Sequence, residues 1–169
     1  FLASGPAQNR LYKNLGGLKF EAIANTLFAE DVWSTGAAMA DIDNDGDLDL
    51  YLCCYQSPNR LFINQGNFRF TEEAARFGLD FSDASLMPSF CDYDNDGDLD
   101  CFILTYRLYR EGGWPNEPRF EMIGGSPAIK AKYDKYYRIL QSGESKGKPE
   151  YSVAYAGRHD RLFRNDGNG

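Results

Sequence analysis

The chain contains the same run of aspartates twice, and this repeat limits the folds it can adopt more than any other feature. The two copies occupy residues 41–49 and 92–100, 51 residues apart. In both, aspartate fills positions 1, 3, 5, 7 and 9 and glycine fills position 6. Neighbouring carboxylates repel one another by about 1 kcal/mol per close pair even in water. A divalent cation removes that repulsion, and Ca²⁺ takes about 6–8 oxygen ligands. Each run is therefore predicted to be a calcium-binding loop.

The candidate metal ligands are the ten aspartates of the two loops, with one calcium ion expected in each loop. They are Asp41, Asp43, Asp45, Asp47, Asp49, Asp92, Asp94, Asp96, Asp98 and Asp100. An EF-hand loop also places oxygen ligands at alternate positions, but it ends in a glutamate at position 12, where this chain has Leu52 and Ile103. Two alternatives stay open: Mg²⁺, which needs stricter octahedral geometry, and aspartates that turn a hairpin without any ion.

A second motif, asparagine-arginine-leucine-aromatic, gives the length of the repeat. It occupies residues 9–12 and 59–62, and it returns at 160–163 with aspartate in the first position. The first two copies are 50 residues apart and the last two are 101 apart, so an insertion of roughly one repeat length is expected between them. Strand-forming segments alternate with short glycine-containing turns around each motif. Four strands per period predict an all-β fold made of β-propeller blades.

The acidic loops and the asparagine-arginine-leucine strands resemble the FG-GAP/VCBS repeat propellers, a family that includes the integrin α-chain head. The small-residue strand at 36–40, the loop after it and the hairpin at 59–70 are most similar to the ASPIC/UnbV branch (acidic secreted protein in cartilage). The resemblance implies a seven-bladed ring, of which this chain would supply about two and a half four-stranded blades.

The same resemblance implies that each calcium loop joins the first two strands of a blade and that particular atoms bind the ion. Side-chain oxygens would come from positions 1, 3, 5 and 9 of the loop, and a backbone carbonyl from position 7. The side-chain donors would be Asp41, Asp43, Asp45, Asp49, Asp92, Asp94, Asp96 and Asp100, and the carbonyl donors Asp47 and Asp98.

We divide the chain into propeller segments at 1–104 and 160–169 and an inserted segment at 105–159, and we expect the whole to be a fragment of one larger propeller domain. The insertion is basic, with ten Lys or Arg against six Asp or Glu, and it holds seven of the eleven tyrosines. Its aromatic side chains either form a contact surface or pack the insertion onto the propeller. Apolar residues at helical spacing after a Ser-Pro pair predict a short helix at about 127–141.

The four cysteines are too few for a disulfide scaffold. Cys91 and Cys101 flank the second loop and are expected to face each other across a hairpin, so a disulfide and two buried free thiols both stay open. Cys53 and Cys54 are neighbours in a predicted strand, where successive side chains point to opposite faces. No bridge is expected between them.

Composition and motif content argue against several classes of function. The net charge of −7 and pI of about 4.7 come without a basic stripe, which argues against a nucleic-acid partner. No run of 18 apolar residues occurs, so no transmembrane segment is expected. Neither an acid–base pair outside the loops nor a phosphate-binding motif is visible. We therefore predict no catalytic residue, no organic cofactor and no enzymatic activity.

The expected function is that of a calcium-stabilised β-propeller scaffold for protein or glycan binding, as in cell adhesion. The 105–159 insertion and the remaining blades of the parent propeller are the expected contacts. Extracellular calcium modules bind with a Kd of about 10⁻⁴–10⁻³ M, so such loops fill where calcium is plentiful. The expected location is extracytoplasmic: secreted, periplasmic or at the cell surface. Two alternatives stay open, namely an accessory or catalytic domain of a carbohydrate-active enzyme and a structural subunit of a cell-envelope complex.

Overall fold

Antiparallel strands make up almost all of the regular structure of this chain. The computed structural model describes residues 8–23, 32–145 and 148–167. The strands are β1 (Leu11–Asn14), β2 (Phe20–Ile23), β3 (Ser34–Ala40), β4 (Asp49–Pro58), β5 (Arg60–Asn64), β6 (Phe70–Glu72), β7 (Ser82–Cys91), β8 (Asp100–Thr105), β9 (Phe120–Ile123), β10 (Ser126–Ile129), β11 (Tyr137–Ser145), β12 (Lys148–Tyr155) and β13 (Arg161–Phe163). A 3₁₀ helix, Ala131–Tyr133, is the helical element in these ranges. The predicted all-β class is confirmed.

The chain separates into two compact units. Unit 1 consists of Phe1–Thr105 with His159–Gly169, and unit 2 of Tyr106–Arg158. Unit 1 holds β1–β8 and β13, and unit 2 holds β9–β12 with the 3₁₀ helix. The ends of the predicted propeller segments, residues 1–7 and 168–169, lie outside the described residues.

Strands β3 to β6 form a four-stranded antiparallel meander. Each strand pairs with the next one along the chain, β3 with β4, β4 with β5 and β5 with β6. The turn between β5 and β6 contains Gly66 with φ of 76°, a conformation that glycine adopts without the steric penalty that a Cβ brings. This meander corresponds to one period of the sequence repeat, with the first acidic loop between β3 and β4.

A second set of strands repeats this order in part. Strands β7 and β8 pair around the second acidic loop, and β13 pairs with β8 as β5 pairs with β4. The end of β4 also pairs with the start of β7, where Tyr55 lies opposite Ala84. The chain of unit 2 runs between β8 and β13. Strands β1 and β2 form a separate hairpin.

The core of unit 1 consists of two apolar clusters, one on each face of β4. Residues 49–54 of β4 are all buried, because successive side chains of a strand point to opposite faces and both faces are covered. One cluster contains Leu11, Leu50, Leu52, Cys54, Phe62 and Phe70. The other contains Ile42, Tyr51, Cys53, Leu61, Ile63, Ala74, Leu79, Cys101 and Ile103. The second cluster packs the β3–β6 meander against β8.

The helix predicted at 127–141 is wrong, because unit 2 has no α-helix among the described residues of that stretch. That stretch instead completes the β9–β10 hairpin, turns through the 3₁₀ helix and enters β11, which pairs with β12. Gly124 and Gly125, with φ of 58° and 87°, make the tight turn between β9 and β10. Tyr133 and Tyr137 are both buried, which explains the helical spacing without a helix. Aromatic and β-branched residues at the start of β11 favour a strand.

The structure also corrects the expected position of Cys91 relative to Cys101. In the β7–β8 register Cys101 lies opposite Phe90 and Cys91 lies opposite Asp100, so the two thiols point to opposite faces of the sheet. Cys101 is buried and Cys91 is exposed, and all four cysteines are free. In the residues that the structure describes, no helix has the length and hydropathy needed to cross a membrane.

Candidate metal centres

Each acidic loop brings three carboxylates together at the connection between two strands. The loops lie between β3 and β4 and between β7 and β8. In each cluster, one carboxylate oxygen per residue lies within 4.8 Å of the others. The clusters are Asp41, Asp43 and Asp49, and Asp92, Asp94 and Asp100. They contain positions 1, 3 and 9 of the predicted ligand sets.

The first aspartate of each loop holds the loop closed. The two carboxylate oxygens of Asp41 accept backbone N–H groups of Asp45 and Gly46, both at 3.0 Å. In the second loop Asp92 accepts the two matching N–H groups, both at 3.1 Å. Gly46 has φ of 92°, and only glycine adopts this conformation without strain. This explains why glycine occurs at position 6 in both copies.

The last aspartate of each loop is buried and connects the loop to the third strand of its meander. Asp49 accepts the N–H of Ile42 through Oδ2 and the N–H of Asn64, at the end of β5, through Oδ1, both at 2.8 Å. Asp100 accepts the two matching N–H groups at 3.0 and 2.9 Å. Each carboxylate oxygen has two lone pairs. One hydrogen bond to each oxygen therefore leaves a lone pair that can bind a cation.

The other four predicted ligands lie outside the two clusters. Asp45 Oδ1 accepts the N–H of Asp47 at 2.8 Å, and Asp96 Oδ1 accepts that of Asp98 at 3.0 Å. Asp98 Oδ1 also accepts the side-chain amide of Asn44, from the other loop, at 3.2 Å. These contacts shape the loops, and the ligand roles implied for positions 5 and 7 stay predictions.

The electrostatics of the clusters favour an added positive charge. Burial, followed by repulsion from Asp45 and Asp41, raises the pKa of Asp43 above its ordinary value. Burial also raises the pKa of Asp49, and burial with repulsion from neighbouring loop aspartates raises the pKa of Asp94. A raised pKa means that the charged form lacks compensation. A bound cation would provide it.

The donor chemistry of the clusters fits a hard divalent cation. All gathered donors are carboxylate oxygens, and no histidine or cysteine belongs to either described cluster. Oxygen-only sites suit Ca²⁺, Mg²⁺ and Mn²⁺, whereas thiolate and imidazole donors suit zinc and copper. Ca²⁺ tolerates irregular coordination better than Mg²⁺, which agrees with ligands that come from one irregular nine-residue loop.

The antiparallel meander, with an acidic loop after its first strand and a partial second copy, defines an all-β repeat protein. The model of the FG-GAP-like repeat family matches residues 1–52 and 49–103, which is more than half of the chain. The chain belongs to that family, and the resemblance drawn from the sequence is confirmed. Each of the two matched segments contains one acidic loop.

A curated relative supports the same assignment. Cartilage acidic protein 1 of Xenopus tropicalis is 31% identical over 112 residues, covering 62% of this chain and 17% of the relative. The chain thus spans less than a fifth of that protein's length. The similarity agrees with the ASPIC/UnbV-like character of the sequence.

The sequence did not indicate which groups support the clusters from outside the loops. Asn64 and Asn165 donate their backbone N–H groups to Asp49 and Asp100, and a backbone donor has no side-chain signature. A signal does exist in the turn, because each asparagine also accepts the N–H of the glycine two residues later, at 3.1 and 3.0 Å. Asn14 makes the same contact at 2.8 Å. The Asn-x-Gly turn therefore belongs to the repeat.

Proposed function

We propose that this chain is part of a calcium-stabilised β-propeller that acts outside the cytoplasm as a binding scaffold for a protein or glycan. The observation that carries the proposal is the recurrence of the whole loop environment. Both copies have the same three gathered carboxylates, the same two closing bonds to position 1 and the same two bonds to position 9. Such a repeated acidic centre suits a cation that stabilises each repeat.

The solvent exposure of matched positions supports the propeller. Tyr51, Cys53 and Leu61 are fully buried between the two sets of strands. At the matching positions of the second set of strands, Leu162 is 53% exposed, and Phe102 and Leu104 are also exposed. In a propeller, a further blade covers this face of β8 and β13. We propose that the ring has seven blades, as the family resemblance implies.

The proposed role of calcium is structural. A cation between the gathered carboxylates neutralises their repulsion and fixes the connection between the first two strands of a blade. At free calcium about 100-fold above Kd, binding adds about 2.7 kcal/mol to the free energy of unfolding. The extracytoplasmic location follows from the calcium supply that such sites need, and the name of the curated relative, which refers to cartilage, agrees with it.

Thermal unfolding with and without calcium tests the proposal. We expect calcium to raise the Tm of the full chain and EDTA to lower it again. Asp43→Asn and Asp94→Asn remove one gathered carboxylate each and should reduce the calcium-dependent rise in Tm. Asp80→Asn makes the same change at an exposed position outside the loops and should leave that rise unchanged. An equal Tm in calcium and in EDTA would contradict the proposal.

The proposed scaffold performs no catalytic step. The clustered carboxylates are assigned to the cation, and contact with a partner is assigned to unit 2, whose sequence is basic and rich in tyrosine. Turnover of a purified polysaccharide by the full chain would contradict this part of the proposal and favour the carbohydrate-active alternative.

A further inference from the structure

Unit 2 contains an open groove lined by both aromatic and polar side chains. Its volume is about 520 Å³, which lies in the range of small-molecule sites. The groove is lined by Arg110, Trp114, Asn116, Glu117 and Tyr133, among others. Trp114 is 46% exposed. The groove thus combines exposed aromatic surface with hydrogen-bonding groups.

Glu117 is held in place as an ionised acceptor at this groove. Its Oε1 accepts Lys132 Nζ at 2.5 Å and Tyr133 Oη at 2.7 Å, and Lys130 Nζ lies 3.7 Å from Oε2. The hydrogen bonds from Lys132 and Tyr133 lower the pKa of Glu117 to about 2. The carboxylate is therefore charged at neutral pH, and two lysines offset its charge. It can accept further hydrogen bonds from hydroxyl donors.

Two residues packed on Trp114 carry buried polar atoms that have no acceptor in the part of the chain that the structure describes. The Arg119 guanidinium carbon lies 4.1 Å from the indole centroid, and the Tyr137 ring stacks on the indole with centroids 5.2 Å apart. Arg119 Nε and Tyr137 Oη are both buried and find no hydrogen-bond partner among the described residues. Tyr137 is only 2% exposed. Buried donors are normally paired, so this cluster lacks an acceptor oxygen.

The charges around the groove favour an anion. Two lysines, Lys130 and Lys132, pair with the carboxylate of Glu117. Two arginines add positive charge nearby, since Arg110 lines the groove and Arg119 packs on Trp114. Arg110 also lies with its guanidinium carbon 5.8 Å from the Tyr133 ring centroid. Guanidinium groups bind carboxylate, sulfate and phosphate oxygens in a directional way.

We propose that this groove binds an acidic saccharide, a sugar that carries carboxylate or sulfate groups. Trp114 offers apolar surface to a sugar ring, Asn116 and Glu117 bind hydroxyls, and the cationic groups bind the acidic substituent. An acidic peptide fits less well, because its ionised Asp and Glu side chains only accept hydrogen bonds and its donors are the backbone N–H groups, whereas each free hydroxyl of a saccharide can donate to Glu117. The proposal rests on the binding role proposed above and gives that role a ligand class.

Calorimetric titration of the full chain tests the ligand class. The probes are a heparin-derived oligosaccharide (sulfated), an oligogalacturonate (carboxylated), a neutral dextran oligosaccharide and a poly-glutamate peptide. We expect binding of at least one acidic saccharide and none of dextran. The affinity should fall as the salt approaches about 1 M, where the Debye length is about 3 Å.

Matched variants locate the binding site. Asn116→Asp and Gln141→Glu both add one negative charge at an exposed position of unit 2 without changing size, but only Asn116 lines the groove. We expect Asn116→Asp to weaken binding by about fivefold and Gln141→Glu by less than about twofold. Trp114→Ala should weaken binding by at least about tenfold. Trp33→Ala, which truncates an exposed tryptophan packed on Tyr55 of unit 1, should not weaken it.

Each contrary result has a defined meaning. Failure of both acidic saccharides to bind, or equal binding of dextran, overturns the proposal. Binding of poly-glutamate that is weakened by Asn116→Asp overturns it in favour of an acidic peptide. None of these three results contradicts the proposed structural role of calcium, because the effect of EDTA on Tm tests that role separately. Near-ultraviolet circular dichroism of each variant checks that unit 2 keeps its aromatic packing, and Asn116→Asp keeps the test valid if Trp114→Ala unfolds.

Discussion

Asn59, which lies between β4 and β5, connects strands β4 and β7 of unit 1 through its side chain. Its Oδ1 accepts the N–H of Cys54 in β4 at 2.8 Å, and its Nδ2 donates to Ser85 Oγ in β7 at 3.0 Å. The matched residue one repeat earlier, Asn9, donates to Ser34 Oγ at 2.8 Å. Asp160, at the same position of the third copy, accepts the N–H of Thr105 at 2.7 Å. The asparagine of the repeated motif is therefore an element of the packing between repeats.

Replacing Asn59 with alanine should lower stability. Asn59→Ala leaves the buried N–H of Cys54 and the buried hydroxyl of Ser85 without this partner, which we expect to reduce the free energy of unfolding by about 1–3 kcal/mol. Asn14→Ala removes a comparable bond to a backbone N–H at an exposed turn and should cost less than about 1 kcal/mol. Urea unfolding of both variants measures the difference. An equal loss of unfolding free energy in the two variants would contradict the prediction that the buried bonds of Asn59 stabilise the fold more than the exposed bond of Asn14.

Strands β3 and β7 approach each other closely at Gly36. A Cβ added to Gly36 would lie 2.1 Å from the backbone oxygen of Leu86, so the two strands would have to separate. Gly36→Ala should therefore reduce the free energy of unfolding by about 1–3 kcal/mol. Gly157→Ala is the matched control, because nothing lies within 4 Å of its added Cβ. Thermal unfolding in calcium compares the two variants, and an unchanged Tm for Gly36→Ala would contradict the close approach.

The strands of unit 1 were predictable from the sequence because local signals and the repeat agree there. The acidic loops and the asparagine-arginine-leucine motif marked the turns and strands of the meander. The segment at 127–141 was predicted wrongly because the spacing of Tyr133 and Tyr137 fits a helix as well as a shared aromatic cluster. Pairing with β12, the next strand along the chain, decides between them, and the spacing of residues within 127–141 carries no information on that pairing. The hydrogen bond from the Asn64 N–H to Asp49 could not be predicted for the same reason, because it depends on how β5 lies beside the loop.

At the scale of the whole molecule, matched leucines of successive repeats test whether the chain is part of a larger ring. Leu61 is fully buried, whereas Leu162, at the same position of the third copy, is 53% exposed. In the 169-residue chain, Leu61→Ala should reduce the free energy of unfolding by about 2–5 kcal/mol. Leu162→Ala should change it by less than about 0.5 kcal/mol.

In a longer version of the protein that contains the following repeats, Leu162→Ala should lower the free energy of unfolding much more than it does in the 169-residue chain. If a further blade packs on β8 and β13, Leu162 becomes buried as Leu61 is, and Leu162→Ala should then cost about 2–5 kcal/mol as well. Urea unfolding of the four variant proteins, two in each length, measures the change. The Leu61→Ala cost should be the same in both lengths and serves as the internal standard. A Leu162→Ala cost that stays near zero in the longer protein would contradict the propeller, because a closed ring leaves no blade face uncovered.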